Sequence, residues 1–235
     1  MIGSRKLKVV DGPVAPGSIH LRDVSAGYNG KPVFSNLDLQ VDPGDFLYVV
    51  GPSGVGKTTL LNVLYGTLRP QQGAVMVDGL AVHRLHRWQT ARVRRRVGYV
   101  FQSYELLPHL SALENVMLPL QLAHPRIRHQ RAYALDALEL VGLGDKLKRR
   151  PSDLSAGEQQ RVAVARAIAP QPRILFADEP TGNLDSHSSG EIVQLFRQLN
   201  GVGSTVLVAT HDDFVLKRYP APSVRLQPHV LKVAR

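Results

Sequence analysis

The stretch GPSGVGKTT, residues 51–59, decides the fold of this chain. It follows the apolar run DFLYVV and continues into TTLLNVLYGTL, residues 58–68, which has the length and apolar content of a helix. Glycines let such a loop turn its backbone N–H groups inward, and the amino end of the next helix adds positive potential. A strand, a glycine-rich loop and a helix in this order predict a loop that binds phosphate groups.

The spacing G-x-x-x-x-G-K-[ST] assigns roles to single residues of this loop. Lys57 is expected to reach the β- and γ-phosphates of a nucleoside triphosphate, and the Thr58 hydroxyl is expected to bind Mg²⁺. The residues of the loop that are expected to contact the nucleotide are Gly51, Pro52, Ser53, Gly54, Val55, Gly56, Lys57, Thr58 and Thr59.

Two further apolar runs end in polar residues that suit the same chemistry. RILFADE, residues 173–179, ends in Asp178, which can hold Mg²⁺ through water, and Glu179, which can polarise an attacking water. STVLVATH, residues 204–211, ends in His211. Taken alone, the acidic pair could face solvent and the histidine could be a surface or cap residue. Ligands bind where the carboxyl ends of parallel strands meet, so the three runs together predict a Mg²⁺-dependent nucleoside triphosphate hydrolase.

The rest of the chain alternates strand-like and helix-like segments, which predicts an α/β domain with a largely parallel sheet. SIHLRDVSAGY, residues 18–28, alternates only weakly and is interpreted as an edge strand. Apolar residues recur at helical spacing later on, so about residues 103–168 are predicted to form an inserted helical subdomain. Residues 1–17 are predicted to be a flexible basic tail before one domain over residues 18–235.

The composition narrows the class of protein. The absence of cysteine excludes disulfides and cysteine metal sites. No apolar run approaches the roughly 18 residues that span a bilayer, and no signal peptide is apparent, so we expect a soluble, cytoplasmic protein. The formal net charge is +10, and the basic residues cluster, as between Arg84 and Arg96. Such clusters could be solvated helix faces, or they could contact an anionic membrane surface or nucleic acid.

The stretch LSAGEQQRVAVARA, residues 154–167, begins with a turn that has two interpretations. Ser155 and Glu158 have the spacing of a capping box, so they could serve only to begin a helix. Together with QQRVAVARAI, however, LSAGE resembles the signature of the ATP-binding-cassette (ABC) ATPases. FQ at residues 101–102, GNLD at 182–185 and ATHD at 209–212 stand in the order of that family. The resemblance covers about residues 18–226.

This resemblance implies a phosphate-loop NTPase of the ABC type. Its sheet core is mixed or parallel, with an inserted helical subdomain and a small antiparallel N-terminal sheet. The resemblance also implies that ATP and Mg²⁺ are cofactors and that two copies dock head to tail. The signature of one copy then covers the γ-phosphate of ATP on the other, and the residues expected to make that contact are Ser155, Ala156, Gly157 and Glu158.

The family's other motifs match single residues of this chain. Tyr28 matches the aromatic residue that stacks on adenine, although it could instead pack locally at a strand end. Gln102 matches the glutamine that senses Mg²⁺ and water. Asp185 matches the acidic residue of the loop at the dimer interface. Glu179 is the implied catalytic base, and His211 is the implied contact to the γ-phosphate.

One residue of the signature departs from the family, because Ala156 stands where glycine is usual. If that position needs a positive φ, alanine would cost about 1 kcal/mol and would slow turnover more than it weakens ATP binding.

The resemblance also implies a membrane partner. YELLPHLSALENVMLPL, residues 104–120, resembles the surface that receives the coupling helix of a membrane subunit, although it could be plain helical core. ADEPTGNLD and the short C-terminus resemble the ATPases that work with FtsX-, lipoprotein-release- or macrolide-export-type membrane proteins. The FtsE-type cell-division ATPases are the nearest match. This places the protein at the inner face of the cell membrane.

Two other classes are considered. Soluble ABC ATPases that act on ribosomes or DNA would suit the charge, but they carry two cassettes or long coiled coils, so no nucleic acid is expected. The other class is a structural subunit that binds its partner without hydrolysing ATP. The presence of Glu179 and His211 in this chain conflicts with that role.

Overall fold

A computed structural model of the chain describes residues 15–86, 88–123 and 129–227, so most of the predicted basic tail lies outside the described residues. The strands are β1 (Ile19–Tyr28), β2 (Lys31–Val41), β3 (Phe46–Val50), β4 (Gln72–Val77), β5 (Leu80–Ala81), β6 (Val97–Val100), β7 (Ile174–Asp178), β8 (Thr205–Thr210) and β9 (Ser223–Arg225). The α-helices are α1 (Lys57–Tyr65), α2 (Ala91–Arg94), α3 (Ala112–Ala123), α4 (Gln130–Leu140), α5 (Ala156–Ile168), α6 (Ser186–Gly201) and α7 (Asp213–Arg218).

The larger sheet has five parallel strands in the order β6-β7-β8-β3-β9. This confirms the predicted parallel core. β3, which leads into the phosphate loop, lies between β8 and β9, and all five of its residues are buried. A strand that is buried on both faces is uniformly apolar, and this is why the sequence shows a continuous run here.

The smaller sheet is antiparallel and has the order β2-β1-β4-β5, so β1 lies between two partners and the edge-strand prediction is wrong. The weak alternation has another cause. The pairing of β1 with β2 shifts register between Leu21 and Val24 and twice more before Gly27, and Asp23 has a φ of 50°. Such bulges insert residues into the strand and interrupt the period of two.

Two apolar cores lie on opposite faces of the parallel sheet, and β3 shows how the strands divide between them. Leu47 and Val49 pack with α1 and the antiparallel sheet, whereas Tyr48 and Val50 pack with the helices α3 to α6. Successive side chains of a strand point to opposite faces, so β3, β6, β7 and β8 each contribute to both cores.

The helices α3, α4 and α5 follow β6 and pack against one another. They lie in the stretch for which the sequence predicts a helical subdomain. The limits of that subdomain and of the tail remain predictions. Asn115 of α3 is fully buried, and it anchors the segment before the helix. Its side-chain oxygen accepts the N–H of Leu107 at 2.8 Å, and its amide donates to the Leu107 carbonyl at 3.1 Å.

Candidate functional site

The phosphate loop has the backbone that its glycines predict. Gly54 and Gly56 have φ values of 78° and 111°, which residues with a β-carbon rarely adopt. A β-carbon at Gly56 would also lie 2.7 Å from Cγ1 of Val33. Helix α1 begins at Lys57, directly after the loop, so its free backbone N–H groups face the turn. The loop is therefore a concave array of donors that can bind an anion.

Lys57 lies at the centre of this array and is buried. Its Nζ donates to the carbonyl oxygens of Gly51 at 2.8 Å and Pro52 at 3.2 Å. The same atom lies 3.0 Å from Oε1 of Glu179. The ammonium therefore joins the loop that follows β3 to the acidic end of β7.

Glu179 is held from a second side by His211. Its Oε1 lies 2.7 Å from Nδ1 of His211, and its Oε2 lies 3.4 Å from the backbone nitrogen of that residue. Glu179 itself has a φ of 47°, which turns it away from the strand direction. Only 9% of its side chain is exposed, against 55% for His211. An anchored carboxylate of this kind can accept a proton from a water molecule at the edge of the sheet.

The surroundings of Asp178 show whether the residues of this site fit a bound Mg²⁺. Burial raises the pKa of its carboxyl, while a hydrogen bond from Thr58 acts in the opposite direction. Its buried Oδ1 has no hydrogen-bond partner among the residues that the structure describes. A buried oxygen without a partner is costly, and a cation with oxygen ligands would satisfy it. The donor set fits Mg²⁺, although no group of three or more His, Asp or Glu in the described ranges could hold a metal alone. Substrate phosphates would complete such a site.

Tyr28 and Gln102 lie at the surface. Tyr28 ends β1 with 49% of its area exposed, so its ring is accessible to a planar ligand. Gln102 is exposed two residues beyond β6. Their roles toward adenine and Mg²⁺ remain predictions.

The signature turn is a complete capping box. The Ser155 hydroxyl accepts the N–H of Glu158 at 3.3 Å, and Oε2 of Glu158 accepts the N–H of Ser155 at 2.9 Å. Lys146 forms an ion pair with Glu158, and this hydrogen bond is the main reason why the pKa of the Glu158 carboxyl is lowered. The capping interpretation is therefore correct as a description of the helix start, and it leaves the Ser155 turn exposed for a ligand.

The concern about Ala156 is not supported. Ala156 is the first residue of α5, and it is absent from the positions with a positive φ. Its methyl group therefore causes no backbone strain in this conformation. Gly157 is more constrained, since a β-carbon there would lie 3.3 Å from Cδ2 of Leu184.

Asp185 caps α6 and lies beside the signature turn. Its carboxylate accepts the Ser188 hydroxyl at 2.7 Å and the N–H groups of His187 and Ser188 at 2.9 and 3.1 Å. A polar cavity of about 480 Å³ is lined by Ser155, Glu158 and Asp185, together with residues of both neighbouring helices. Lys57, Glu179 and His211 do not line it. The structure thus gathers the predicted residues into two places rather than one.

Several contacts near these places were not predicted. Arg166 of α5 donates to the carbonyl oxygens of Tyr104 and Glu105, and Asn183 donates to the Tyr104 hydroxyl at 3.0 Å. These partners lie about 60 to 80 residues apart in the chain. Each residue type is unremarkable in its own segment, and no spacing rule joins them.

An apolar groove of about 520 Å³ lies between the parallel sheet and the helices. Its apolar lining includes Tyr99, Phe101, Leu118, Pro119 and Leu122. Arg94, Arg95 and Arg166 add charge at the same groove. Leu122 is 64% exposed, which is high for a leucine, so the groove has apolar surface that this chain leaves uncovered.

The described residues contain no helix that is both long and apolar enough to cross a bilayer.

Comparison with known proteins identifies the family. The chain matches the ABC transporter family over residues 34–182. It is 41% identical to the lipoprotein-releasing system ATP-binding protein LolD of Bacteroides fragilis, over 85% of this chain and 93% of that protein. It is 40% identical to the cell division ATP-binding protein FtsE of Streptococcus pneumoniae, over 84% of this chain and 86% of that protein.

A solved structure agrees with this. The dimeric post-hydrolysis state of the ATP-binding cassette MJ0796, bound to ADP and Pi, has a TM-score of 0.85 and 35% identity, and it covers 92% of this chain and 99% of that one. The predicted ABC fold is thereby confirmed, with its antiparallel N-terminal sheet and parallel core. The chain belongs to the ABC transporter family and is an ATP-binding, ATP-hydrolysing cassette.

Proposed function

We propose that this cassette works as a head-to-tail homodimer that closes around two ATP molecules and drives a separate membrane subunit. The observation that carries the proposal is the separation of the predicted residues into two places. Lys57, Glu179 and His211 form one cluster, whereas Ser155 and Asp185 line a different cavity. Two copies in antiparallel contact would bring the Lys57 cluster of one copy next to the Ser155 cavity of the other.

The chemistry at the first place follows from its charges. Glu179 acts as the base that takes a proton from the attacking water, and Lys57 neutralises charge on the β- and γ-phosphates. His211 orients the Glu179 carboxylate through its ring nitrogen and contacts the γ-phosphate. Mg²⁺ would be held by Thr58 and Asp178, with Gln102 as the third expected ligand, and it would offset the charge of the phosphates.

The second place has the features of an anion contact. The exposed Ser155 hydroxyl and the amino end of α5 both favour negative charge. The dimeric MJ0796 cassette supports a pair of this kind. ATP then holds the two copies together, and its hydrolysis lets them separate.

The apolar groove is the proposed contact for the membrane subunit. Leu118 and Pro119 belong to the segment that resembles a coupling surface, and they line the groove together with Tyr99 of β6 and with Phe101, which directly follows β6. The partner that we favour is an FtsX-type protein in cell division, which places the cassette at the cytoplasmic face of the cell membrane. A lipoprotein-release or macrolide-export permease is the alternative, since identity to LolD and to FtsE differs by one point.

The test is a pull-down from solubilised native membranes. The Glu179→Gln protein is tagged and held with Mg-ATP, and Lys57→Ala serves as the matched control that should not form the ATP-bound dimer. An FtsX-like protein with cell-wall hydrolase components would support the cell-division role. A lipoprotein-release or efflux permease would replace it with the alternative. Capture of ribosomes or DNA-bound proteins without a membrane protein would overturn the proposal.

A basic surface beside the groove supports contact with anionic lipid as well. Arg84, Arg92, Arg94 and Arg95 are exposed, and none of the carboxylates in the described ranges pairs with them. Trp88, between them in sequence, is 76% exposed. Arginine and tryptophan together suit the headgroup region of an acidic leaflet.

Flotation with vesicles tests whether the basic surface binds anionic lipid rather than nucleic acid. We expect the protein to float with phosphatidylglycerol vesicles but not with phosphatidylcholine vesicles, and Trp88→Ala should weaken flotation. Val202→Ala is a suitable control because Val202 is exposed outside this surface. Failure of the protein to float with phosphatidylglycerol vesicles, or equal flotation with both vesicle types, would contradict a contact with anionic lipid. Salt-sensitive binding to duplex DNA instead would identify nucleic acid as the partner.

A further inference from the structure

The segment between β6 and α3 contains an unusual pair of residues. Tyr104 and Glu105 are consecutive, neither is glycine, and they have φ values of 61° and 52°. This left-handed conformation is disfavoured for residues with a β-carbon, so the surrounding structure must hold it. The pair lies two residues after Gln102, and in sequence it stands between Phe101 and Leu118, which both line the apolar groove.

Arg166 stabilises this left-handed conformation. Its guanidinium donates to the backbone carbonyl oxygens of both Tyr104 and Glu105. Arg166 is partly buried, and it also lines the apolar groove with Phe101 and Leu118. A planar guanidinium fixes two acceptors at once, so a shift of the groove wall at Arg166 would move both carbonyl groups.

The Tyr104 side chain extends the same connection to another loop. Asn183 Nδ2 donates to the Tyr104 hydroxyl oxygen at 3.0 Å. Asn183 lies between Glu179 and Asp185, in a loop that is closed by bonds from Gly182 N–H to the Glu179 carbonyl at 3.2 Å and from Leu184 N–H to Thr181 at 3.1 Å. One hydroxyl therefore joins the strained segment to the loop that carries the proposed base and the proposed interface residue.

We propose that Tyr104 is a positioning residue, whose hydroxyl couples the state of the apolar groove to the loop of residues 179–185. A partner seated in the groove would act on Arg166, on the two carbonyl groups that it holds and then, through Tyr104, on Asn183. The inference rests on the proposed function only in taking this groove as the partner site and Glu179 as the base.

The first measurement is amide hydrogen exchange of the full chain. Tyr104→Phe removes the hydroxyl and keeps the ring. We expect exchange at Gly182 and Leu184 to become about two- to fivefold faster, as the loss of one partly exposed hydrogen bond would give. Tyr133→Phe is the matched control, because Tyr133 is exposed on α4 and its hydroxyl has no hydrogen-bond partner within the described part of the chain. Unchanged exchange in Tyr104→Phe would overturn the proposal.

The second measurement is steady-state ATP hydrolysis as a double-mutant cycle. Tyr104→Phe and Asn183→Ala should each lower kcat about two- to fivefold while KM for ATP stays within twofold, and the double variant should fall no further. Additive effects, or a kcat equal to that of Tyr133→Phe, would show that this bond does not position the site. A matched change of the midpoint of thermal unfolding in all variants would reveal general destabilisation and would count against the proposal as well.

The exchange measurement requires neither a dimer nor a membrane subunit. Failure of Glu179→Gln to dimerise would therefore contradict the proposed function without altering this result, and faster exchange with an unchanged kcat would overturn the positioning role alone.

Discussion

Oε1 of Glu179 lies 2.7 Å from Nδ1 of His211, and the two residues follow neighbouring parallel strands. The same oxygen lies 3.0 Å from the Lys57 ammonium, so two donors orient one carboxylate. Glu179→Gln keeps the size of the side chain but removes its charge and basicity. We expect ATP hydrolysis to fall by about 10² to 10⁴-fold, with ATP binding retained. Phosphate release measures the loss, and gel filtration with saturating Mg-ATP should show a trapped dimer. A monomer in both the presence and the absence of Mg-ATP would contradict the head-to-tail arrangement.

The same geometry leads us to expect that His211 matters for turnover more than for ATP affinity. His211→Ala removes the partner of Glu179 and the proposed contact to the γ-phosphate, so kcat should fall on the order of 10²-fold while KM changes little. His187→Ala is the control, because His187 also lies near a glutamate, Glu191, but at 3.9 Å and with 83% of its side chain exposed. Equal effects of the two substitutions would argue against a specific role for His211.

Lys57 is expected to determine nucleotide affinity. Lys57→Ala removes charge-assisted hydrogen bonds to the phosphates, which are worth about 2–3 kcal/mol together, so the Kd for ATP should rise about 30- to 150-fold. Equilibrium dialysis with labelled ATP measures this directly. Lys31→Ala, an exposed lysine at the start of β2, should leave the Kd unchanged. An unaltered Kd in Lys57→Ala would exclude the proposed phosphate contact.

The methyl group of Ala156, at a position where glycine is usual, should not reduce ATP hydrolysis. Since Ala156 begins α5 with an ordinary helical backbone, Ala156→Gly offers no relief of strain and adds backbone entropy to the unfolded chain. We expect the free energy of unfolding to fall by about 0.5–1 kcal/mol and ATP hydrolysis to stay within twofold of the parent. Urea titration and phosphate release test the two parts. A rise in turnover well above twofold would mean that the position adopts a positive φ during the reaction.

Asp185 gives a prediction for acid pH. Hydrogen bonds from the Ser188 side chain and backbone lower the pKa of its carboxyl to about 2, from an ordinary value of 3.8. The folded pKa is the lower one, so the charged carboxylate stabilises the fold above about pH 4, and this contribution disappears as the pH falls through about 2. Asp185→Asn keeps an oxygen that can cap α6 and removes only the charge. It should be less stable than the parent at pH 6, and the difference should narrow toward pH 2. A difference that is constant with pH would show that the charge contributes nothing.

Local sequence signals predicted the parts of the site that depend on short spacing. Apolar strands end at the phosphate loop, at the pair Asp178 and Glu179, and at His211. The structure brings Lys57, Glu179 and His211 within hydrogen-bonding distance. The parallel sheet was also predicted, because β3, β7 and β8 are buried on both faces and read as continuous apolar runs.

Features that depend on partners far away in the chain were not predicted. The weak alternation of β1 predicts an edge strand, whereas the alternation is weak because bulges interrupt the strand. The strain assigned to Ala156 assumed a turn, whereas the helix already begins there. The contacts of Arg166 and Asn183 with Tyr104 join segments that only the finished fold brings together, and residue type alone gives no indication of them.

The position of β3 within its sheet has a consequence for the protein during synthesis. The phosphate loop directly follows β3, but the two strands that flank β3 are β8 and β9, which are synthesised more than 150 residues after it. The Leu226 N–H also donates to the Val50 carbonyl at 2.8 Å, immediately before the loop. A nascent chain therefore cannot fix the strand that leads into the nucleotide site until β8 and β9 have been made, and a chain that stops before β8 would lack both strands that flank β3.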